Sequence, residues 1–157
     1  MENKKRIYEE LITEIQSVLA GENDPIAWMS TLSCLIRNKT GHFWVGFYRV
    51  RGKELVIGPY QGTLGCLHIP FGKGVCGTCA EQRRTLVVPD VHQFPGHIAC
   101  DSRSNSEIVV PVFDGRGRLK AVLDMDSTSL AAFDETDRTY LEKIAGFMAG
   151  LEWEIKV

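Results

Sequence analysis

The spacing of apolar residues is helical at the start of the chain. They recur at intervals of three or four positions, as Ile7, Leu11, Ile15, Val18 and Leu19. This period predicts an amphipathic first helix over residues 3–20, which is expected to end at Gly21. Asp24 followed by Pro25 is typical of a helix N-cap and first turn, and the apolar positions through Ile36 predict a second helix.

After the second helix the pattern changes to one typical of strands. Residues 42–50 (HFWVGFYRV) are aromatic and β-branched, and with the turn RGK and residues 54–60 (ELVIGPY) they predict a β-hairpin. Residues 63–70 (TLGCLHIP) and 85–90 (TLVVPD) predict two further strands. Between them, a short helix is predicted to begin just after Gly74, because the glycines of FGKGVCG disfavour a strand.

A second hairpin and a last helix complete the predicted elements. Residues 107–113 (EIVVPVF) and 118–127 (RLKAVLDMDS) flank the turn DGRG. Asp134, with Asp137 three residues later, is typical of a capping box and predicts a final helix through residue 155. This order of elements favours an α+β fold, in which an antiparallel sheet carries the helices on one face.

Alternation along the last predicted strand separates its two faces. One face is apolar and is expected to point to the core: Leu119, Ala121, Leu123 and Met125. Asp124 and Asp126 then point together to the opposite face, where Glu107 could join them. Such acids could equally be ordinary surface residues at a solvated strand end. Trp44 and Tyr48 share one face of the first strand, so aromatic walls and acids could line one pocket suited to a cation.

Composition narrows the possible functions. With 157 residues, 44% of them hydrophobic and 24% charged, the chain is expected to fold as one domain over residues 1–157. The net charge of -2 gives no basic surplus for nucleic acid, whereas a small neutral or zwitterionic ligand remains possible. The sequence shows no signal-peptide pattern and no apolar run of membrane-spanning length, so we expect a cytoplasmic protein without a membrane partner.

The five cysteines are an odd number and indicate thiols rather than a disulfide framework: Cys34, Cys66, Cys76, Cys79 and Cys100. The segment CGTC has the spacing of redox dithiols and of zinc knuckles, and the solitary Cys66 and Cys100 could supply two more zinc ligands. The missing second CxxC disfavours zinc. Cys34 is expected to be a packed core thiol, and Cys79 could pack against the sheet.

Cys100 stands in a polar loop, FPGHIACDSRSNSEIVV (94–110), where a small buried hydrophobe is not expected. His97 lies three residues before it, close enough to influence a thiolate. A loop histidine near a cysteine is a weak sign of a nucleophile by itself, and His42 and His68 are expected to be structural. The residues alone therefore leave open whether Cys100 is a reagent.

Three segments resemble the free methionine-(R)-sulfoxide reductases, enzymes built on a single GAF domain. They are GKGVCG (72–77), DVHQFPGHIACDSRSNSEIVVPV (90–112) and VLDMDS (122–127), and the FPGHIACDS part is specific to these reductases among GAF domains. The resemblance covers the chain from about Trp44 to the final helix. It implies an antiparallel sheet with the terminal helices on one face and a ligand pocket on the other.

The resemblance also implies roles for individual residues. It implies that Cys100 is the nucleophile, Cys66 its resolving partner and Cys76 a further thiol able to relay the disulfide. The substrate-handling residues that it implies are Trp44, Glu107, Asp124 and Asp126. Cys79 and Cys34 match no role in the family.

The implied reaction converts free methionine-(R)-sulfoxide to methionine through a sulfenic acid and a disulfide. Thioredoxin is the expected reductant of that disulfide, so no bound cofactor or metal is required. Terminal amphipathic helices commonly pair GAF domains, which makes a homodimer possible. The alternative is a GAF module that senses a small ligand and signals through its helices, although the sequence shows no effector domain to receive the signal.

Overall fold

The helices and strands follow the predicted order. The structure is a computed structural model and describes residues 2–154. Its helices are α1 (Glu2–Val18), α2 (Pro25–Thr40), α3 (Gly74–Gln82) and α4 (Glu135–Gly146). Its strands are β1 (Trp44–Arg51), β2 (Glu54–Gln61), β3 (His68–Pro70), β4 (Leu86–Val88), β5 (Ser106–Phe113) and β6 (Leu119–Ser127). A 3₁₀ turn, Val91–Gln93, lies between β4 and β5 and was not predicted.

The strands form one antiparallel sheet in the order β3-β2-β1-β6-β5-β4. Both predicted hairpins, β1–β2 and β5–β6, are present, and β1 pairs with β6 at the centre of the sheet. The predicted α+β class with an antiparallel sheet is therefore confirmed.

The two faces of the sheet have separate apolar cores. One face packs against α1, α2 and α4, which contribute residues such as Leu11, Leu32 and Leu141. The other face carries α3 together with a second cluster that includes Trp44 and Tyr48. The terminal helices therefore share one face, as expected, and α3 is the helix that lies on the other.

Acidic caps fix the starts of α2 and α4. The Asp24 side chain accepts hydrogen bonds of 2.7 and 2.9 Å from backbone N–H groups in the first turn of α2. Asp134 and Asp137 form the predicted capping box at the start of α4. Asp137 is buried and accepts a further hydrogen bond of 2.7 Å from the Tyr8 hydroxyl, so the cap also joins α4 to α1.

Two predicted element boundaries are wrong. The third strand is confined to His68–Pro70, because the chain leaves the sheet at Gly62, where φ is +136°. The final helix ends at Gly146, a poor helix former, rather than continuing to residue 155, which lies outside the described residues. Within residues 2–154, no helix combines the length and apolar character needed to cross a bilayer.

Two predicted side-chain positions are also wrong. Leu119 packs with the second cluster rather than the first, because the β5–β6 register shifts between Val112 and Phe113. Cys34 is exposed and not a core thiol. The buried residues of α2, Leu32 among them, lie on one side of the helix, and Cys34 lies on the side that faces solvent.

Candidate active site

A small cavity lies on the face of the sheet that carries α3. Its volume is about 50 Å³, which is room for roughly three to five water molecules. Six of the seven site residues expected from the sequence line it: Trp44, Cys76, Cys100, Glu107, Asp124 and Asp126. The seventh, Cys66, is bonded to Cys100. The fold thus brings to one place residues that are up to 82 positions apart in the chain.

Strand alternation and register bring the three carboxyl groups together. Glu107 on β5 lies directly opposite Asp126 on β6, and Asp124 is on the same face of β6. Glu107 and Asp124 are buried, whereas Asp126 is partly exposed and accepts a hydrogen bond of 2.7 Å from Ser104 Oγ. Asp124 Oδ1 is buried and has no hydrogen-bond partner among the described residues. A buried acceptor of this kind favours a ligand that brings a donor.

Burial raises the pKa of all three carboxyl groups. The pKa of Asp124 rises to about 6. The pKa values of Glu107 and Asp126 rise well above the ordinary range, because burial and the neighbouring charge of Asp124 both oppose ionisation. Above pH 6 Asp124 therefore carries a negative charge, whereas the raised pKa values of Glu107 and Asp126 favour their protonated forms.

Aromatic rings line the cavity beside the acids, where Trp44 on β1 pairs with Asp126 on β6. The Trp44 ring stacks on Tyr48 and Tyr60, with centroids 5.9 and 5.1 Å apart, and its Nε1 donates a hydrogen bond of 2.9 Å to Thr63 O. Gly65 lies against this wall, and a Cβ there would stand 3.1 Å from Trp44 and 3.2 Å from the Tyr48 hydroxyl. A side chain at Gly65 would therefore crowd the wall and reduce the cavity.

Cys66 and Cys100 form a disulfide. Their Cα atoms are 5.5 Å apart, within the normal range for a disulfide. Cys100 belongs to an exposed loop, and Cys66 belongs to the half-buried segment that leads into β3. The bond therefore holds the Cys100 loop against the β2–β3 connection, at the mouth of the cavity.

Cys76 and Cys79 are buried thiols on α3. Cys76 Sγ lies 3.7 Å from Glu107 Oε1, so it faces the acids, while Cys79 Sγ lies 3.7 Å from Val109 O and packs against the sheet. Burial, together with the charge of Asp124, raises the pKa of both thiols. Near neutral pH both are protonated and are weak nucleophiles.

A hydrogen bond joins the two segments that carry the bonded cysteines. Thr63 Oγ1 donates to Asp101 Oδ2 at 2.6 Å. Arg103 donates two hydrogen bonds to the same carboxylate, from Nε to Oδ1 at 3.1 Å and from Nη2 to Oδ2 at 2.8 Å. Neither Thr63 nor Asp101 was predicted as a site residue, and the position of Asp101 directly after Cys100 is the sequence feature that points to it.

His97 lines the cavity, whereas His42 and His68 lie outside its lining. Nε2 of His97 is 4.0 Å from Glu107 Oε2, and burial lowers the pKa of His97, so it is neutral near pH 7. His68 lies on β3 and pairs with Glu54 at 3.3 Å. His42 lies outside the strands and stacks on Phe133, with ring centroids 4.7 Å apart.

Donor atoms suited to a metal ion are also found in the cavity. Cys76, Glu107 and Asp124 each offer one donor atom, and these atoms lie within 4.8 Å of one another. The set of four cysteines considered from the sequence is not assembled, because Cys66 and Cys100 are bonded to each other. A metal ion would require a deprotonated Cys76, whose pKa burial raises, so this set suits an ammonium group at Asp124 better than a metal ion.

Comparison with known proteins identifies the family. The sequence model of the GAF domain matches residues 35–150. The free methionine-R-sulfoxide reductases of Saccharomyces cerevisiae and Escherichia coli are 40% and 39% identical over 151 and 143 residues. These alignments cover 91% and 90% of the chain and 84% and 86% of those proteins.

A solved structure gives the same result. The free methionine-R-sulfoxide reductase from Neisseria meningitidis, in complex with its substrate, superposes with a TM-score of 0.90 at 47% identity. The match covers 93% of this chain and 88% of that one. The expected GAF fold is thereby confirmed. By sequence and by structure, the chain belongs to the GAF domain family and, within it, to the free methionine-R-sulfoxide reductases.

Proposed function

We propose that this protein reduces free methionine-(R)-sulfoxide to methionine with its own cysteine thiols. The observation that carries the proposal is the position of Cys100. It lies at the mouth of a cavity lined by three buried or partly buried acids and an aromatic wall, and it is bonded to a second cysteine. That arrangement joins a nucleophile, proton donors and an electron source in one site.

Cys100 is the nucleophile of this reaction. In the reduced protein its thiolate attacks the sulfoxide sulfur, and a protonated carboxyl group gives a proton to the sulfoxide oxygen. Glu107 and Asp126 are suited to this step because burial and the charge of Asp124 raise their pKa values and favour the protonated, proton-donating form. The hydroxyl group then passes from the substrate sulfur to the Cys100 sulfur as the bond between the two sulfurs breaks, so methionine leaves and Cys100 becomes a sulfenic acid.

Asp124 is suited to bind the amino group of the substrate. It is the carboxyl group that is ionised above pH 6, and its Oδ1 has no partner within residues 2–154. The ammonium group of a free amino acid supplies both the charge and the hydrogen bond that this atom lacks. A methionine sulfoxide within a protein presents a neutral amide there, which leaves the charge of Asp124 unpaired.

Trp44 is suited to hold the side chain of the substrate. Its ring is part of a stack with Tyr48 and Tyr60, so its orientation is fixed before the substrate enters. A flat aromatic surface favours the apolar carbons and the methyl group beside the sulfoxide.

Cys66 is suited to resolve the sulfenic acid. Its thiol attacks the sulfur of oxidised Cys100, water leaves, and the Cys66–Cys100 disulfide forms. Cys76 is a less suitable first resolver, because it is fully protonated near neutral pH and directed at Glu107. It remains available to relay the disulfide after Cys66.

Thioredoxin completes the cycle by reducing the disulfide. The whole chain, residues 1–157, acts as one GAF domain in this reaction. The packing of α1 into the same core as α4 supports this domain boundary. The reaction draws its electrons from thiols and needs no bound cofactor.

A coupled assay tests the proposed function. The protein is mixed with NADPH, thioredoxin, thioredoxin reductase and free methionine sulfoxide, and the absorbance of NADPH is followed. Continuous NADPH consumption is expected with the R epimer and not with the S epimer. A GAF domain that only senses a small ligand would consume none, and that outcome would overturn the proposal.

A further inference from the structure

Exposed apolar side chains surround the Cys66–Cys100 disulfide. The described part of the chain exposes six large hydrophobic residues, and three of them lie within two positions of one of these cysteines. They are Leu64 (79% exposed), Leu67 (63%) and Ile98 (39%), and they are called here the disulfide patch. The other three are far from both cysteines in the sequence: Val18, Ile26 and Leu130.

The residues of the disulfide patch surround a single bond. The Cα atoms of Cys66 and Cys100 are 5.5 Å apart, and a residue two positions along the chain adds at most about 7 Å. Leu64 and Ile98 also both line the cavity. Exposed apolar surface of this kind marks an interaction site, and here a disulfide stands at its centre.

We infer that the disulfide patch docks the protein that reduces the disulfide, a dithiol protein whose own cysteines are surrounded by apolar surface. The inference rests on the proposed function, in which this bond is reduced once in every cycle. A partner that covers the patch must therefore bring a thiol to one of the two sulfurs. A small thiol needs no apolar surface around the bond, whereas a protein gains affinity by burying it.

Exposure selects which sulfur is attacked. Cys100 is exposed and Cys66 is half-buried, so the partner's thiolate attacks Sγ of Cys100. The bond to Cys66 breaks, and Cys66 leaves as a thiolate that takes up a proton. The partner's second thiolate then attacks its own sulfur in the mixed disulfide and releases Cys100, so two electrons pass and the partner becomes the disulfide.

Leu67 allows docking to be separated from chemistry, because it is not among the residues that line the cavity. The disulfide form is mixed with a thioredoxin whose resolving cysteine is replaced by serine, and the mixed disulfide is followed over time. Leu67→Ser is expected to slow this capture by roughly five- to tenfold at limiting thioredoxin. Leu67→Met keeps the apolar surface and should restore the rate.

Val18→Ser provides a matched control. Val18 is 57% exposed, similar to Leu67, and lies at the end of α1. This helix packs on the face of the sheet opposite to the one that carries α3. Capture of this variant should equal that of the wild type. Peptide mapping of the trapped complex should find the link at Cys100, and a link at Cys66 would overturn the choice of sulfur.

Reduction by dithiothreitol supplies the second arm of the experiment. The rate of reduction by dithiothreitol should be the same for the wild type and Leu67→Ser, because a small thiol reacts without binding the disulfide patch. Equal slowing with both reductants, or unchanged capture by thioredoxin, would overturn the docking surface. Neither arm requires sulfoxide turnover. If Leu67→Ser slows capture by thioredoxin but not reduction by dithiothreitol, and the NADPH assay is negative, the proposed function is refuted while the docking surface is supported.

Discussion

The hydroxyl of Thr63 donates a 2.6 Å hydrogen bond to the carboxylate of Asp101, the residue directly after Cys100. This bond holds the Cys100 loop beside the segment that carries Cys66, where the disulfide forms. Thr63→Val removes the donor and keeps the shape of the side chain. Because a hydrogen bond to a charged group contributes about 1.5–3 kcal/mol, we expect the step from sulfenic acid to disulfide to slow by roughly tenfold or more. Quenched-flow trapping of the sulfenic acid measures this step.

Release of methionine in the first turnover should not change in Thr63→Val, since Thr63 does not touch the reacting atoms. Thr13→Val, on α1, is the matched control, because it also removes a hydroxyl that bonds within the chain. Disulfide formation at the wild-type rate in Thr63→Val would show that the loop is positioned without this bond.

Cys66→Ser should separate sulfoxide reduction from resolution. The variant is expected to release about one methionine per chain and then stop as a sulfenic acid, unless a small thiol rescues it. Cys100→Ser should release none, because a serine hydroxyl is almost never ionised at neutral pH and is a poor nucleophile toward sulfur. Mass spectrometry and methionine quantification distinguish the two. Undiminished turnover of Cys66→Ser with thioredoxin would transfer the resolving role to Cys76 or Cys79.

Asp124→Asn should impair recognition of the free amino acid. Removing one partner of a buried ion pair costs about 3–5 kcal/mol, so we expect KM for free methionine sulfoxide to rise by roughly two to four orders of magnitude. N-acetyl-methionine sulfoxide lacks the ammonium group and should be a poor substrate for the wild type, with little further loss in the variant. Equal catalytic efficiency of the wild type on both compounds would mean that the acids do not bind the amino group of the substrate.

The same substitution should stabilise the empty protein. The pKa of Asp124 is about 6 in the folded chain and 3.8 ordinarily, so between these values the folded state binds more protons than the unfolded state and stability falls as pH rises. The difference corresponds to about 3 kcal/mol. Asp124→Asn should therefore raise the free energy of unfolding above pH 6 and leave it unchanged below about pH 4. Urea denaturation of the disulfide form at the two pH values measures the effect.

Asp101→Asn is a control that should change the free energy of unfolding in the opposite direction. Hydrogen bonds from Arg103 and Thr63 hold the pKa of Asp101 well below its usual range. Its ionised form is the stabilised one, so its contribution is present above the ordinary pKa and is lost as pH falls. Asp101→Asn should therefore lower stability near neutral pH. Stabilisation by both substitutions would mean that burial does not cause the effect at Asp124.

Reduction of the disulfide should loosen the loop over residues 91–104. In the disulfide form the cavity of about 50 Å³ is far below the roughly 300 Å³ of the smaller ligand pockets, so the loop must move before an amino acid enters. Hydrogen exchange should therefore be faster in this loop in the reduced protein, while the β1–β6 pair at the centre of the sheet stays unchanged. Identical exchange in both redox states would count against a mobile Cys100.

The sequence predicted the acids of the site better than the contacts that position its cysteines. Asp124 and Asp126 follow a period of two along a strand, and the structure places both on the expected face because sheet geometry is regular. Leu119 was predicted on the wrong face because a bulge interrupts that period without a sequence mark of its own. The Thr63–Asp101 bond joins positions 38 residues apart through a single hydroxyl, and no periodic pattern records such a contact. The pairing of Cys66 with Cys100 came from resemblance and not from spacing.

The contracted cavity has a consequence for how the protein behaves when reductant is scarce. The chain then accumulates with its disulfide intact, in the form whose site has room only for a few waters. This form retains neither the product nor unreacted sulfoxide. Under the proposed function, an abundant but oxidised population of the protein would therefore bind little free sulfoxide, and the supply of reductant would set the fraction of its sites that can admit substrate.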